Sequence, residues 1–347
     1  MKAIVCKKET GLVFKDVPKP VPEPDQVLIK LAHTGFCGSD HTMVENLMMP
    51  GGFTMPDDFI LGHEVSGTVE DAGSKCENVT IGERVILRPN ECGKCAECLA
   101  DRPALCRTDR RTVGVGDLPG GFAEYLVAYP NMLIPVPAGV DSKNAALAEM
   151  FATSLHALNS TGVRGKTALV MGGGPIGLAM VQLLKVRGFE TVVLSEPVED
   201  KRKLSREFGA QTVLNPLEED IQEISNDITG GIGFDVVFEC AGVAGNVQVG
   251  IDCVRSLGVV SVVGVSLSDI VIRPMSINVY KEIKIAGSYA SSQAENRQCL
   301  EWMADGSIDG RPMISDVIAL EDLPRIYKDR IHAKKTIKAI LEIGDAF

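Results

Sequence analysis

The sequence predicts an α/β protein in which a doubly wound, parallel-sheet domain is joined to a β-rich part. Two observations carry this. After about residue 150, the apolar runs TALVM, TVVLS, DVVFE and VVSVV alternate with segments of helical periodicity such as IGLAMVQLLKVRG and EDKRKLSREFG. That is the pattern of a parallel sheet covered by helices on both faces. Before it, MKAIVCK, VLIKLAH, HEVSGTV and ERVIL are brief β-prone runs separated by Pro- and Gly-rich connections such as VPKPVPEPDQ. The closing sixty or so residues are mixed and more polar, and KKTIKAILEI reads as a terminal strand. A chain of 347 residues matches two domains.

The formal net charge of −11 repels phosphate backbones and anionic membrane surfaces, so neither nucleic acid nor membrane is expected as a partner. The uncharged stretch 167–184 is interrupted by Gly172, Gly173, Gly174, Pro175 and Gly177, which leaves no piece long enough to cross a bilayer. MKAIVCKKET has no apolar core or small-residue cleavage site, so a cytoplasmic protein is expected.

TALVM runs directly into Gly172-Gly173-Gly174-Pro175-Ile176-Gly177 and then into a helical segment, which places G-x-G-x-x-G between a strand and a helix. Gly172 permits the tight turn, Gly174 lets backbone approach a pyrophosphate, and Gly177 lets helix pack on strand. Pro175 and Ile176 open the helix, whose N-terminal N–H groups face the phosphates. A second strand, TVVLS, ends at Glu196, where a carboxylate would bond an adenosine ribose diol and repel a 2′-phosphate. Lys201 and Arg202 lie close by. NAD is therefore expected over NADP.

Ten cysteines are present, and Cys92, Cys95, Cys98 and Cys106 are spaced C-x2-C-x2-C-x7-C. Four thiolates on a short lobe suit a closed, structural zinc site. The ferredoxin run has a shorter last gap and a following proline, whereas Arg107 follows here. A second, dispersed set comprises Cys37 in GFCGSD and His63 in LGHEVSG, both beside glycines at strand ends. Glu149 in AALAEMF stands where the α/β part begins.

GHEVSGTVEDAGSKC, with Gly62, His63, Glu64, Gly67 and Gly73, resembles the signature of the zinc-containing alcohol dehydrogenases of the medium-chain family. CGSD, the four-cysteine lobe, GGFAEY, GGGPIG and FDVVFECAG extend the resemblance over essentially the whole chain. The AALAE segment is similar to that of the polyol, butanediol and threonine dehydrogenase branch, although Met150 replaces that branch's proline.

The resemblance implies a chaperonin-like β-barrel catalytic domain (1–147 and 288–347) and a Rossmann domain (148–287). It also implies two zinc ions per chain, the catalytic one held by Cys37, His63 and a carboxylate. Glu149 is one candidate, and Glu64 with a water is the other. Ser39 matches the start of the family's proton relay. The histidine expected five residues after the cysteine is replaced by Thr42, with His41 one residue earlier, and Thr153 matches the residue behind the nicotinamide. Relatives form dimers or tetramers through the nucleotide-domain sheet edge, a role KIAGSY can fill. The function expected is NAD-dependent oxidation of a polyol, vicinal diol or other secondary alcohol. The alternatives are an amino alcohol such as threonine, or a catalytically silent zinc and dinucleotide binder. Met43, Met48, Met49, Phe53 and Met55 are expected to border the substrate cleft or to pack in a contact.

Overall fold

The structure, a computed structural model, describes residues 1–48, 54–100, 102–278 and 281–347. It divides into two compact units, Met1–Glu149 with Ser292–Phe347, and Met150–Ser291. In the first unit, β1 (Lys2–Lys7) and β2 (Gly11–Asp16) form an antiparallel hairpin, turned at Gly11 with φ +72°. The strands β3 (Val27–Phe36), β4 (Glu64–Ala72), β5 (Arg84–Leu87), β6 (Tyr125–Ala128) and β7 (Leu133–Pro135) follow. The second unit supplies β8 (Thr167–Met171), β9 (Thr191–Ser195), β10 (Thr212–Leu214), β11 (Phe234–Glu239), β12 (Val254–Val262) and β13 (Lys284–Gly287). The chain then returns to the first unit for β14 (Ile314–Ala319) and β15 (Lys338–Glu342).

The first unit's main sheet has seven strands, ordered β14-β15-β3-β4-β5-β7, with β6 also paired to β3. β3 is its axis, with β4 on one side and both β15 and β6 on the other, which explains why its VLIKLAHTGF run is buried at nine of ten positions. A core around Phe36, Phe122 and Tyr327, with the two phenyl rings stacked at 5.6 Å, packs beside it. Met43 (2% exposed) and Met55 (0%) belong to this core, whereas Met48 is 47% exposed; Met49 and Phe53 lie outside the described residues. The methionine run is thus in part packing, and its cleft-lining expectation does not hold for Met43 and Met55.

In the second unit every strand pair is parallel, in the order β10-β9-β8-β11-β12-β13. This is the doubly wound sheet the alternating pattern predicts. Helices Pro175–Val186 and Glu199–Phe208 follow β8 and β9, and the strand order reverses between β8 and β11. Ligands in such sheets bind beyond the carboxyl ends of the strands at that reversal. β12 begins earlier than VVSVV suggests, and it carries a left-handed residue, Leu257 at φ +61°. No helix among the described residues is long and apolar enough to cross a membrane.

His33 of β3 is fully buried, with Nδ1 3.0 Å from Ser142 Oγ. Burial, helped by Lys143 and opposed by Glu342, holds its pKa below the ordinary histidine value. The unfolded chain therefore takes up this proton at higher pH than the folded one. The His33 contribution is complete above the unfolded pKa of about 6.5 and declines as pH falls toward the folded value. Urea unfolding at pH 7.5 and 5.5 should show a smaller acid-side loss for His33→Asn than for the native protein. Equal losses would show that His33 is not a source of the pH dependence.

Candidate metal and dinucleotide sites

The first unit gathers two groups of metal-ligating atoms, each group lying within 4.8 Å among the described residues. The first comprises Cys92, Cys95, Cys98 and Cys106. Cys95 opens the helical turn Ala96–Leu99, and the lobe closes through the short helix Pro103–Leu105 just before Cys106. The sulfurs stand 3.9 Å apart for Cys92 and Cys98, 3.5 Å for Cys95 and Cys98, and 3.9 Å for Cys95 and Cys106. A tetrahedral zinc with bonds of about 2.3 Å has sulfur–sulfur edges of about 3.8 Å, so the donor set fits zinc. Backbone N–H groups are already aimed at these sulfurs, from Cys95 to Cys92 at 3.3 Å and from Cys92 to Cys106 at 3.5 Å. Burial raises the Cys106 thiol pKa, but N–H donors at Asp109, Cys92 and Thr108 outweigh it and pull the value to about 6, which favours the ligating thiolate.

The second group is Cys37, His63 and Glu64. Cys37 caps the helix Gly38–Asn46, and His63 immediately precedes β4, whose first residue is Glu64. The β3–β4 ladder pairs Gly35 with Glu64, which brings the two segments together. A Cβ at Gly35 would lie 2.0 Å from Glu64 Oε2, so the glutamate folds across its neighbour strand where there is no side chain. Asp40 joins the halves: one oxygen accepts the Cys37 N–H at 2.9 Å, and the other lies 3.5 Å from His63 Nδ1. Lys338 of β15, 2% exposed, forms an ion pair with the 1% exposed Glu64 and donates to the Phe36 carbonyl at 3.1 Å.

Burial disfavours a charged imidazolium at His63, yet Asp40 and Cys37 override it and hold its pKa well above the ordinary value. Glu64 first, with Cys37 and Asp40, raises the Lys338 pKa against its burial. This pocket therefore favours positive charge, as a divalent-cation site must, and one sulfur, one imidazole and one carboxylate are the donors of an open catalytic zinc site.

Glu149, the other carboxylate in view, is not in this group. It stands in the first turn of the helix Ala148–Ser160, and its charge supports the buried Arg88 instead. Ser39 Oγ lies 3.4 Å from His63 Nε2, beside the metal group. His41 does not join Ser39. Its Nδ1 is 2.8 Å from Tyr327 Oη, which donates to Glu45 at 2.6 Å. Asp40, Lys338 and Tyr327 were not indicated by sequence reasoning; only Asp40 had a local signal, its place three residues after Cys37.

In the second unit the three glycines of the turn after β8 differ in their surroundings. Gly172 has φ +106°, which favours glycine. A Cβ at Gly177 would lie 1.9 Å from the Gly172 carbonyl, and one at Gly174 would meet nothing within 4 Å. The open approach is thus at Gly174, which caps the helix begun by Pro175 and Ile176, where free N–H groups and the helix dipole favour phosphate. Glu196, after β9, is 5% exposed and accepts N–H groups from Gly173 at 2.7 Å and Val198 at 2.9 Å. Arg202 donates to the Glu196 and Pro197 carbonyls, at 2.8 and 2.7 Å, and Lys201 is half-buried on the same helix. Thr153 is half-buried within Ala148–Ser160.

Comparison with known proteins adds the following. Residues 23–138 match the alcohol dehydrogenase GroES-like domain, and residues 175–305 match the zinc-binding dehydrogenase model. A sorbitol dehydrogenase from Halalkalibacterium halodurans is 31% identical over 98% of both chains. An L-threonine 3-dehydrogenase from Rhizobium etli is 30% identical over 93% of each. A solved zinc-binding dehydrogenase from Sinorhizobium meliloti 1021, bound to NADP, is 32% identical with a TM-score of 0.86, covering 98% of both chains.

Two glycine substitutions separate folding from dinucleotide binding. Gly174→Ala should shift the melting temperature by no more than about 3 °C yet weaken NADH binding at least about tenfold, by filling the open approach. Gly177→Val should lower both, because its side chain meets backbone. Titration of NADH fluorescence alongside thermal melts checks this; unweakened binding in Gly174→Ala would remove Gly174 from the phosphate approach.

Proposed function

The chain belongs to the zinc-containing medium-chain alcohol dehydrogenase family, and on that premise we propose that it transfers a hydride between a secondary alcohol, of the polyol or vicinal-diol kind, and NAD. The observation that carries this is the close grouping of Cys37, His63 and Glu64, with Ser39 Oγ 3.4 Å from the imidazole. A binding protein that only needed a stable lobe would have use for the four cysteines but not for this second group. Zinc held there supplies Lewis acidity, which lowers the pKa of an alcohol hydroxyl toward neutrality.

The chain's own residues do the rest. Asp40 fixes both Cys37 and His63 from one carboxylate. Lys338 holds Glu64 in place and balances its charge. Ser39 takes the alcohol proton, and His41, Tyr327 and Glu45 form a separate hydrogen-bonded chain close by. Thr153 backs the nicotinamide in this reading. Gly172, Gly174, Pro175, Ile176 and Gly177 receive the pyrophosphate, and Glu196, with Lys201 nearby, meets the adenosine ribose.

NAD is favoured over NADP because the Glu196 carboxylate is fixed by two backbone N–H groups and forms no ion pair with a cation among the described residues. Arg202 turns to the Glu196 and Pro197 carbonyls and to Glu199. The four-cysteine group takes a second, structural zinc. The chain is read as a cytoplasmic homo-oligomer, dimer or tetramer. Supporting this, β13 is an edge strand with Ile285 38% exposed, and Val265, Leu267, Val271 and Met275 stand out on the same unit.

Three measurements test the reading. Zinc-replete protein with NAD should turn over one class in a panel of polyols, vicinal diols, simple secondary alcohols and amino alcohols, with activity falling at least about 10³-fold in Cys37→Ala. Failure on every class, with zinc and NADH both bound, would overturn it. Metal analysis should give two zinc ions per chain and one in Cys37→Ala; one in both would support a silent binder. Native kcat/KM should favour NAD over NADP by at least about tenfold, and Glu196→Ser should narrow that ratio.

A further inference from the structure

Arg88 follows β5 directly, and burial leaves it 3% exposed. Its Nε has no hydrogen-bond partner among the described residues. A buried cation in this state is costly, and protein interiors rarely keep one without a partner. Burial pulls its pKa down, but only to about 10, because Glu149 opposes the shift, so the group stays charged at neutral pH. Arg110 pushes the same way as burial, and Glu91 and Glu295 act with Glu149.

The register of the sheet says where this cation stands. β4 and β5 are antiparallel with Ser66 opposite Ile86, so the start of β4 and the end of β5 share one end of the sheet. Extending the ladder by two residues brings Arg88 level with Glu64, next to His63. The residue whose Nε lacks a partner therefore stands at the same end of the sheet as the metal group.

We propose that Arg88 anchors an anionic group of the substrate, so that the alcohol oxidised is one carrying a carboxylate or a phosphate. This rests on the dehydrogenase reading above and narrows its substrate class to hydroxy acids, aldonates or polyol phosphates. The five fixed N–H donors of a guanidinium match either anion in a bidentate way. A neutral polyol would offer the guanidinium no anion to pair with directly.

The test uses the zinc-replete full chain and its Arg88→Leu and Arg88→Lys variants. Thermal melts are run with gluconate, with inorganic phosphate, and with sorbitol as the neutral control. Gluconate or phosphate should raise the native melting temperature while sorbitol does not, and which anion acts identifies the carboxylate or the phosphate source. Arg88→Leu should lose the anion-dependent rise, and Arg88→Lys should keep part of it. Without ligand, Arg88→Leu should melt no lower than the native protein, since it removes a buried charge whose Nε is unsatisfied. Turnover is then read on aldonates and polyol phosphates against their neutral alditols. Arg88→Leu should lower the anionic-to-neutral ratio of kcat/KM at least about 30-fold. An anion response equal in native and Arg88→Leu proteins, or a ligand-free melt that collapses in Arg88→Leu, would overturn the proposal in favour of a structural arginine. An Arg88-dependent anion response with no turnover of any alcohol would instead support the anchor and overturn the dehydrogenase reading.

Discussion

The metal group depends on one buried ion pair, Glu64 with Lys338. Each partner is almost wholly removed from water, a state that is unfavourable unless both charges are answered and their remaining hydrogen-bonding groups occupied. Here the ammonium also donates to the Phe36 carbonyl, and the carboxylate sits in the gap left by Gly35. The pair therefore ties β3, β4 and β15 at the point where Cys37 and His63 enter. Removing either partner would strand the other charge beside the metal ligands, so the ladder and the site are coupled energetically.

What could be read from the sequence follows from how local each feature is. The four cysteines lie within fifteen residues, and the glycine turn occupies six, so spacing alone already constrains their geometry. Both appear in the structure as compact arrangements. The strand runs were equally legible, because apolar runs and the 3.6-residue period are properties of short windows. Cys37 and His63 needed the family resemblance, since nothing local says that two segments 26 residues apart will meet.

Lys338 had no local signature at all, and Tyr327 lies 286 residues from His41; such contacts arise only from the pairing of β15 with β3 and the packing around it. The choice between two glutamates was likewise undecidable from spacing. Glu64 gains its place in the group from the β3–β4 register, whereas Glu149 stands outside that group and acts on a buried arginine. Met43 and Met55, expected either to border the cleft or to pack in a contact, are core.

The pairing of β15 with β3 also orders events during synthesis. Lys338 and Phe36 are 302 residues apart, and the whole of the second unit is translated between them. The parallel sheet from Thr167 to Gly287 has all its strands before β15 leaves the ribosome, whereas β3 must wait with one flank partly open. A nascent chain halted before residue 338 would hold Cys37, His63 and Glu64 without the cation that balances the glutamate. The complete charge balance of the metal group thus exists only once β15 has joined β3.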